Sequence, residues 1–385
     1  MKKLSLIVLA VSSLTVLFSC KKESTTVNNG GDTVSNPIKS DTICGNVKGT
    51  MLAGKTYYVN CDVTVLSTDT LIIQSGVTVR VLNNATFFIS GVIMSEGTEA
   101  SPITFSGPSD DSPAGSWGGF QCDTANYVSF VWTHIIATGG PDETGSPRKT
   151  IKLAKNSPFI MQDSWIYGGE DDGLRLQGAQ ISILRNTIQA IGTTDGEAIN
   201  IKDGCVGDIA YNYIWSIAGS GIKVETSDAV FFPQTSVNIY NNTVVNSGFR
   251  RGAGEPGRAI LMDLFAKGNI YNNILVNTYW GLEITPLVDT VNVHYGNNLF
   301  YSTVDSIRQF YYPAGSWGKP QPTDLISTGL GVEDPKFKFL DTNVNNTTDL
   351  NDPHLQTGSP AIGSGNTTYN KDLGAFPTDG TGNKH

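Results

Sequence analysis

The sequence predicts an all-β fold, a single-stranded right-handed parallel β-helix, from three observations. An Asn motif recurs, as in Ile183-Leu184-Arg185-Asn186-Thr187-Ile188 and Ile209-Ala210-Tyr211-Asn212-Tyr213-Ile214, and its Asn stands at 186, 212, 242, 273 and 298, spaced by 26, 30, 31 and 25 residues. Self-similarity at such a period marks a solenoid or a propeller. Between the Asn motifs lie short strands led by a small residue, at 173–176, 198–201, 221–224, 259–262 and 281–284, each alternating apolar and variable positions. Alternation with period two turns one side to a core and the other to water. With 42 Gly and only 16% charged residues in 385, the chain has the composition of a turn-dense β protein. The Leu-x-x-Leu-x-Leu frame of leucine-rich repeats is missing, and the Asn-Gly hairpin dipeptides that propeller blades use are scarce.

Asn suits the corner of a coil. It tolerates left-handed backbone, and its amide bonds neighbouring backbone groups. Stacked coils would set Asn186, Asn212, Asn242, Asn273 and Asn298 above one another as a structural ladder, each amide donating to the next coil. These residues read as scaffold rather than site.

The N-terminus carries an export signal: Lys2 and Lys3, then an apolar core from Leu4 to Phe18, too short to span a membrane. It ends Leu17-Phe18-Ser19-Cys20, which resembles the lipobox of bacterial lipoproteins. The resemblance implies a signal peptide over 1–19 and lipidation of Cys20. Lys21-Lys22-Glu23 is similar to the start of many Bacteroidetes-type lipoproteins. An outer-membrane lipoprotein, periplasmic or at the cell surface, is expected, with the membrane as partner through its lipid. Residues 20–43 form the lipidated Cys and a flexible polar tether. Cys44 and Cys61 are a possible disulfide in an oxidising compartment, and Cys122 and Cys205 read as buried thiols. A net charge of −9 leaves no basic stripe for nucleic acid, and a monomer is expected.

Coils occupy 44–300. The early run Thr70 to Val81, Ala85 to Gly97, Pro102-Ile103-Thr104-Phe105 and Gly115-Ser116-Trp117-Gly118-Gly119 resembles the opening coils of many secreted bacterial β-helix proteins. Asp334-Pro335-Lys336-Phe337, Gly358-Ser359-Pro360-Ala361-Ile362 and Asp372-Leu373-Gly374-Ala375-Phe376 resemble their closing segment. Residues 301–385 are therefore read as an irregular C-terminal coil and a cap over the last coil, whose edge would otherwise invite strand addition. Pro-Ala-Gly-Ser-Trp-Gly stands at both 113–118 and 313–318.

Alternation places Arg175, Asn200, Lys223, Leu261 and Glu283 in one outward row and Gln177, Lys202, Glu225, Asp263 and Thr285 in the next. The loops before these strands add Asp171, Asp172, Asp195, Glu197 and Arg251 on the same edge. Families with this fold, the pectate-lyase-like superfamily and its carbohydrate-binding and sugar-hydrolase type repeats, handle polysaccharide. What the resemblance implies for a lyase is Lys202 or Lys223 as the proton-abstracting base, with Arg175 to neutralise a uronate. Asp171, Asp172, Asp195 and Glu225 are then the candidate Ca2+ ligands. A hydrolase would need carboxylates at set separations; Asp171-Asp172 is similar to the paired Asp of polygalacturonases, without their Asn-Thr-Asp, Gly-His-Gly or Arg-Ile-Lys companions. Trp165, Tyr167, Tyr213 and Trp215 stand outward beside the Asn corners as candidate sugar-binding rings, unless an insertion or the C-terminal segment packs over them. Three functions are consistent with these residues. They are binding or scaffolding of polysaccharide, cleavage of a uronic-acid polymer, and a purely structural or protein-interaction role.

Overall fold

A computed structural model describes residues 36–385 except 228–231, 253 and 349, together with the backbone but not the side chain of Ala190. The signal peptide, Cys20 and most of the tether lie outside the described residues. The fold is all-β, and its long sheets are parallel, as a parallel solenoid requires. Asp305–Phe310, a 3-10 helix, is the only helix among the described residues.

Three strands return in each repeat, and each pairs with its counterpart one repeat on. The first ladder has ten, among them Pro158–Gln162, Gln180–Leu184, Val206–Ala210, Ser236–Tyr240 and Lys267–Tyr271. The second includes Thr133–Ile136, Trp165–Gly169, Thr187–Ile191, Tyr213–Trp215, Thr243–Val245, Ile274–Val276 and Leu299–Tyr301. The third runs through Phe87–Ile89, Phe120–Gln121, Ile151–Ala154, Leu174–Gln177, Ile199–Lys202, Ile222–Glu225, Arg258–Met262 and Trp280–Ile284. Inward residues of all three merge into a single buried cluster from Ile43 to Tyr311. The small residue at the head of a third-ladder strand answers a close approach. A Cβ on Gly173 would meet the Ala198 carbonyl oxygen at 2.7 Å, and one on Gly221 would meet that of Ala259 at 2.7 Å.

At the corner between first and second ladders the five Asn side chains form a continuous, fully buried column. Nδ2 of Asn186 donates to Oδ1 of Asn212 at 3.0 Å, Asn212 to Asn242 at 2.9 Å, Asn242 to Asn273 at 3.0 Å and Asn273 to Asn298 at 3.0 Å. Each Oδ1 also accepts the backbone N–H of the preceding Asn, and each Nδ2 reaches a carbonyl of the repeat before, as Asn212 does to Ile183 at 2.9 Å. The column is longer than its Asn run. It begins with Ser95, Thr133 and Ser164, whose hydroxyls fill the same place, and ends on Asp324, whose Oδ1 takes the Asn298 N–H at 2.9 Å. The left-handed residue is the one before each ladder position: Arg185 at φ 57°, Tyr211 at 57°, Asn241 at 53° and Asn272 at 59°. The Asn is therefore needed for its amide rather than for its tolerance of positive φ.

Cys44 and Cys61 are joined in a disulfide. Cys122 and Cys205 are buried free thiols, and burial pushes both up.

The C-terminal segment corrects the expected cap. Residues around 305–327 close the last repeat, where Leu325–Ile326 pairs with Leu299–Tyr301. The segment from Phe337 onward instead lies side-on against the outer face of the second ladder. Phe337, Ala361, Leu373, Ala375 and Phe376 pack on Tyr213, Trp215, Val245, Ile274, Val276, Leu299 and Tyr301. Polar clips fix it: Asn241 Nδ2 donates to the Asp372 carbonyl at 2.8 Å, and Asn383 Nδ2 to that of Asn186 at 3.0 Å. The outward positions of this ladder are apolar, so they need a cover that the strands themselves cannot supply.

Candidate functional site

The polar face belongs to the third ladder. In Leu174–Gln177 the leucines point inward and Arg175 and Gln177 outward. Register carries the row across strands: Gln121 pairs with Lys152, Lys152 with Arg175, Arg175 with Asn200, Asn200 with Lys223. A second row runs Gln177, Lys202, Glu225. Parallel pairing sets successive side chains about 4.8 Å apart, so charge on one rung faces charge on the next.

The four carboxylates expected to hold Ca2+ do not converge. Asp171 pairs with Lys149 and caps the Asp172 N–H. Asp172 is buried and accepts Asn200 Nδ2 at 2.9 Å, the Glu197 N–H at 2.9 Å and Arg175 Nη1 at 3.4 Å. Asp195 goes to Arg251 at 2.9 Å. Glu225 is held by Lys202 and by Lys223, the latter at 3.3 Å. Each of the four acids is ion-paired, Asp195 to an Arg251 that it shares with Glu197 and Glu255, and this neutralisation replaces a shared ion. Among the described residues no group of three or more His, Cys, Asp or Glu is placed to hold a metal. Lys202 and Lys223, the two candidate bases, converge on the same Glu225 carboxylate.

Sequence reasoning left Glu197 without a role. It is 5% exposed, meets Arg251 at 2.6 Å and donates its backbone N–H to Asp172 Oδ1 at 2.9 Å. Burial first, then the charge and hydrogen bond of Asp172, push it up to about 8 against the pull of Arg251 and Lys223. Both carboxyls are spent on neighbouring turns of chain, Asp172 on Asn200, Arg175 and the Glu197 N–H, and Glu197 on Arg251. The pair therefore braces the edge of the ladder.

Arg175 differs from its neighbours. Its side chain is 36% exposed, and among the described residues its one ion pair is the 3.4 Å contact to Asp172. It lines a cleft of about 570 Å³ together with Gln121, Asp123, Arg148, Lys149 and Lys152. Gln121 and Lys152 hold the same alternation position as Arg175 on the two preceding strands, which is the signal that could have extended the row toward the N-terminus.

The aromatic platform is corrected in turn. Trp215 is fully buried and Tyr213 nearly so, under Phe376 and its neighbours. Trp165 is sandwiched between His134 and His385, with ring centroids 3.9 and 3.5 Å away. Tyr167 remains partly exposed. Alternation points these rings outward as expected; a segment more than a hundred residues away in sequence then covers them.

Comparison of the chain with protein-family models, with curated proteins and with solved structures finds no match.

Proposed function

We propose that the chain is a lipid-anchored, right-handed parallel β-helix of the bacterial envelope that binds an acidic polysaccharide along its third ladder. Uninterrupted parallel pairing supports the β-helix, and parallel strand crossovers are right-handed in about 98% of cases. The sequence up to Cys20 supports the anchor. Arg175 is the observation that carries the binding: a guanidinium with most of its donors unspent, lining a cleft whose other cations, Arg148, Lys149 and Lys152, are already paired with Glu143, Asp171 and Asp123. A planar fork of N–H donors matches a uronate carboxylate in two parallel hydrogen bonds. Gln121 and Lys152, one rung apart, continue the track for an extended chain.

Isothermal titration against polygalacturonate and alginate tests it. Binding should weaken about tenfold in Arg175→Ala, with Arg175→Lys intermediate, and fall with salt. Absence of binding to either polymer, or affinity unchanged in Arg175→Ala, overturns it. Cleavage is not part of the reading, because both candidate base lysines are held by Glu225.

A further inference from the structure

The outward row of the third ladder continues past Gln121 to Phe88, its partner on the strand before. Gln121 pairs with Lys152 and Lys152 with Arg175, so Phe88 stands three rungs from Arg175 on the same row. All four side chains line the basic cleft. We infer that this cleft reads a single uronate set in a run of neutral sugars, with the carboxylate on Arg175 and a neutral ring stacked on Phe88, rather than a homopolymer in which every residue is charged. The inference rests on the uronate reading of Arg175 and narrows it to one class of acidic glycan.

Charge sets the first limit. Three of the four cations that line the cleft are spent, Arg148 on Glu143, Lys149 on Asp171 and Lys152 on Asp123. Arg175 keeps donors for a ligand beyond its 3.4 Å contact to Asp172. Toward Phe88 the lining turns from donor to acceptor. Gln121 donates through Nε2 to the Gly118 and Lys149 carbonyls at 3.0 and 3.1 Å, which leaves its Oε1 to accept. Asp123 follows on the same strand end, and Asp142 and Glu143 overhang from the loop that Asn84 holds through the Pro141 carbonyl at 3.0 Å. A second carboxylate at the Gln121 rung would meet acceptors and like charge, with no unpaired cation beside it to offset its lost hydration. A sugar hydroxyl at that rung donates to Gln121 Oε1.

Spacing and shape set the second. Parallel strands lie about 4.8 Å apart, close to the advance of one residue in an extended glycan, so such a chain lays about one sugar on each rung. Arg175 and Phe88 are then about 14 Å apart, and the sugars between them fall on Lys152 and Gln121. Phe88 is partly exposed, on a stretch of row that is otherwise polar as far as Lys223. Its ring offers a flat apolar face to the C–H side of a pyranose and no donor to a carboxylate.

The test is isothermal titration of the folded chain with length-matched oligosaccharides of gellan, whose linear repeat holds one glucuronate among neutral sugars, and of polygalacturonate. The gellan fragments should bind about tenfold tighter. Phe88→Ala, with its fold checked by thermal unfolding, should weaken gellan about tenfold and galacturonate less than about twofold. Phe88→Tyr, which keeps the ring, should keep the preference. Arg175→Ala should weaken both ligands. Gellan binding no tighter than galacturonate, or gellan affinity unchanged in Phe88→Ala, overturns the inference and leaves the uronate reading standing. Binding of neither ligand, or affinity for both unchanged in Arg175→Ala, overturns that reading and the inference with it.

Discussion

The Glu197 backbone N–H donates to Asp172 Oδ1 at 2.9 Å, while Arg251, in the loop before Arg258–Met262, reaches the Glu197 carboxylate at 2.6 Å. The two acids lie on successive repeats, so this contact ties one turn of chain to the next. It also makes stability depend on pH. Glu197 is raised from 4.5 to about 8, so between those values the folded chain holds a proton that the unfolded chain has lost. Its contribution is fully present below about pH 4.5 and is lost as pH rises through 8. Thermal unfolding from pH 5 to 9 should show a midpoint falling with pH across this window. Glu197→Gln, which imitates the protonated acid, should flatten that fall; an unchanged slope would refute the assignment.

The ladder column makes a second prediction. Asn242→Ala removes the acceptor of both the backbone N–H and Nδ2 of Asn212, along with the donor to Asn273. Leaving two buried donors unmet should cost about 2–5 kcal/mol in denaturant unfolding. A loss below about 1 kcal/mol would mean that water enters the corner and replaces the amide.

Phe376 packs edge-on against Tyr213, with centroids 5.9 Å apart, and is itself buried. Phe376→Ala should cost about 3–5 kcal/mol, as truncation of a buried aromatic does. It should also raise the fluorescence of an added hydrophobic dye as Tyr213 is uncovered. A neutral substitution would show that the segment is a surface appendage.

The His134–Trp165–His385 stack loosens in acid. Burial lowers both imidazoles from 6.5 to about 4, so the unfolded chain takes up protons that the folded chain refuses. Their stabilisation is fully present above about pH 6.5 and is lost as pH falls toward 4. Hydrogen exchange over residues 376–385 should quicken at pH 4.5 relative to pH 7, after correction for intrinsic rates, more than exchange within Ile222–Glu225 does. Uniform quickening would count against a local release.

What could be read from the sequence follows from what repeats in it. The Asn column was legible because one letter does one job five times. Its start at Ser95, Thr133 and Ser164 was not, because hydroxyls of three different contexts do that job with shorter reach. Outward rows were legible because alternation fixes direction, and the register carries Arg175, Asn200 and Lys223 across neighbouring strands. What lies over a row is a tertiary fact. Trp215 points outward by pattern and is fully buried by Phe337–Phe376 packing. The two Pro-Ala-Gly-Ser-Trp-Gly copies make the same point: Trp117 is buried in the core and Trp317 is 38% exposed, although their letters are identical. The acid and base roles were legible only as residue types, since partner choice depends on which rung each charge meets.

The side-on course of the C-terminal segment changes how such a repeat array should come apart. A stack whose units touch only their neighbours frays from either end, one unit at a time. Here a single strap touches Asn186, Tyr211, Asn241, Asn272 and Asn297, five successive turns of the stack. Those turns are bound to melt together, like boards under one batten, while the turns before Trp132 keep the independent fraying of an ordinary array.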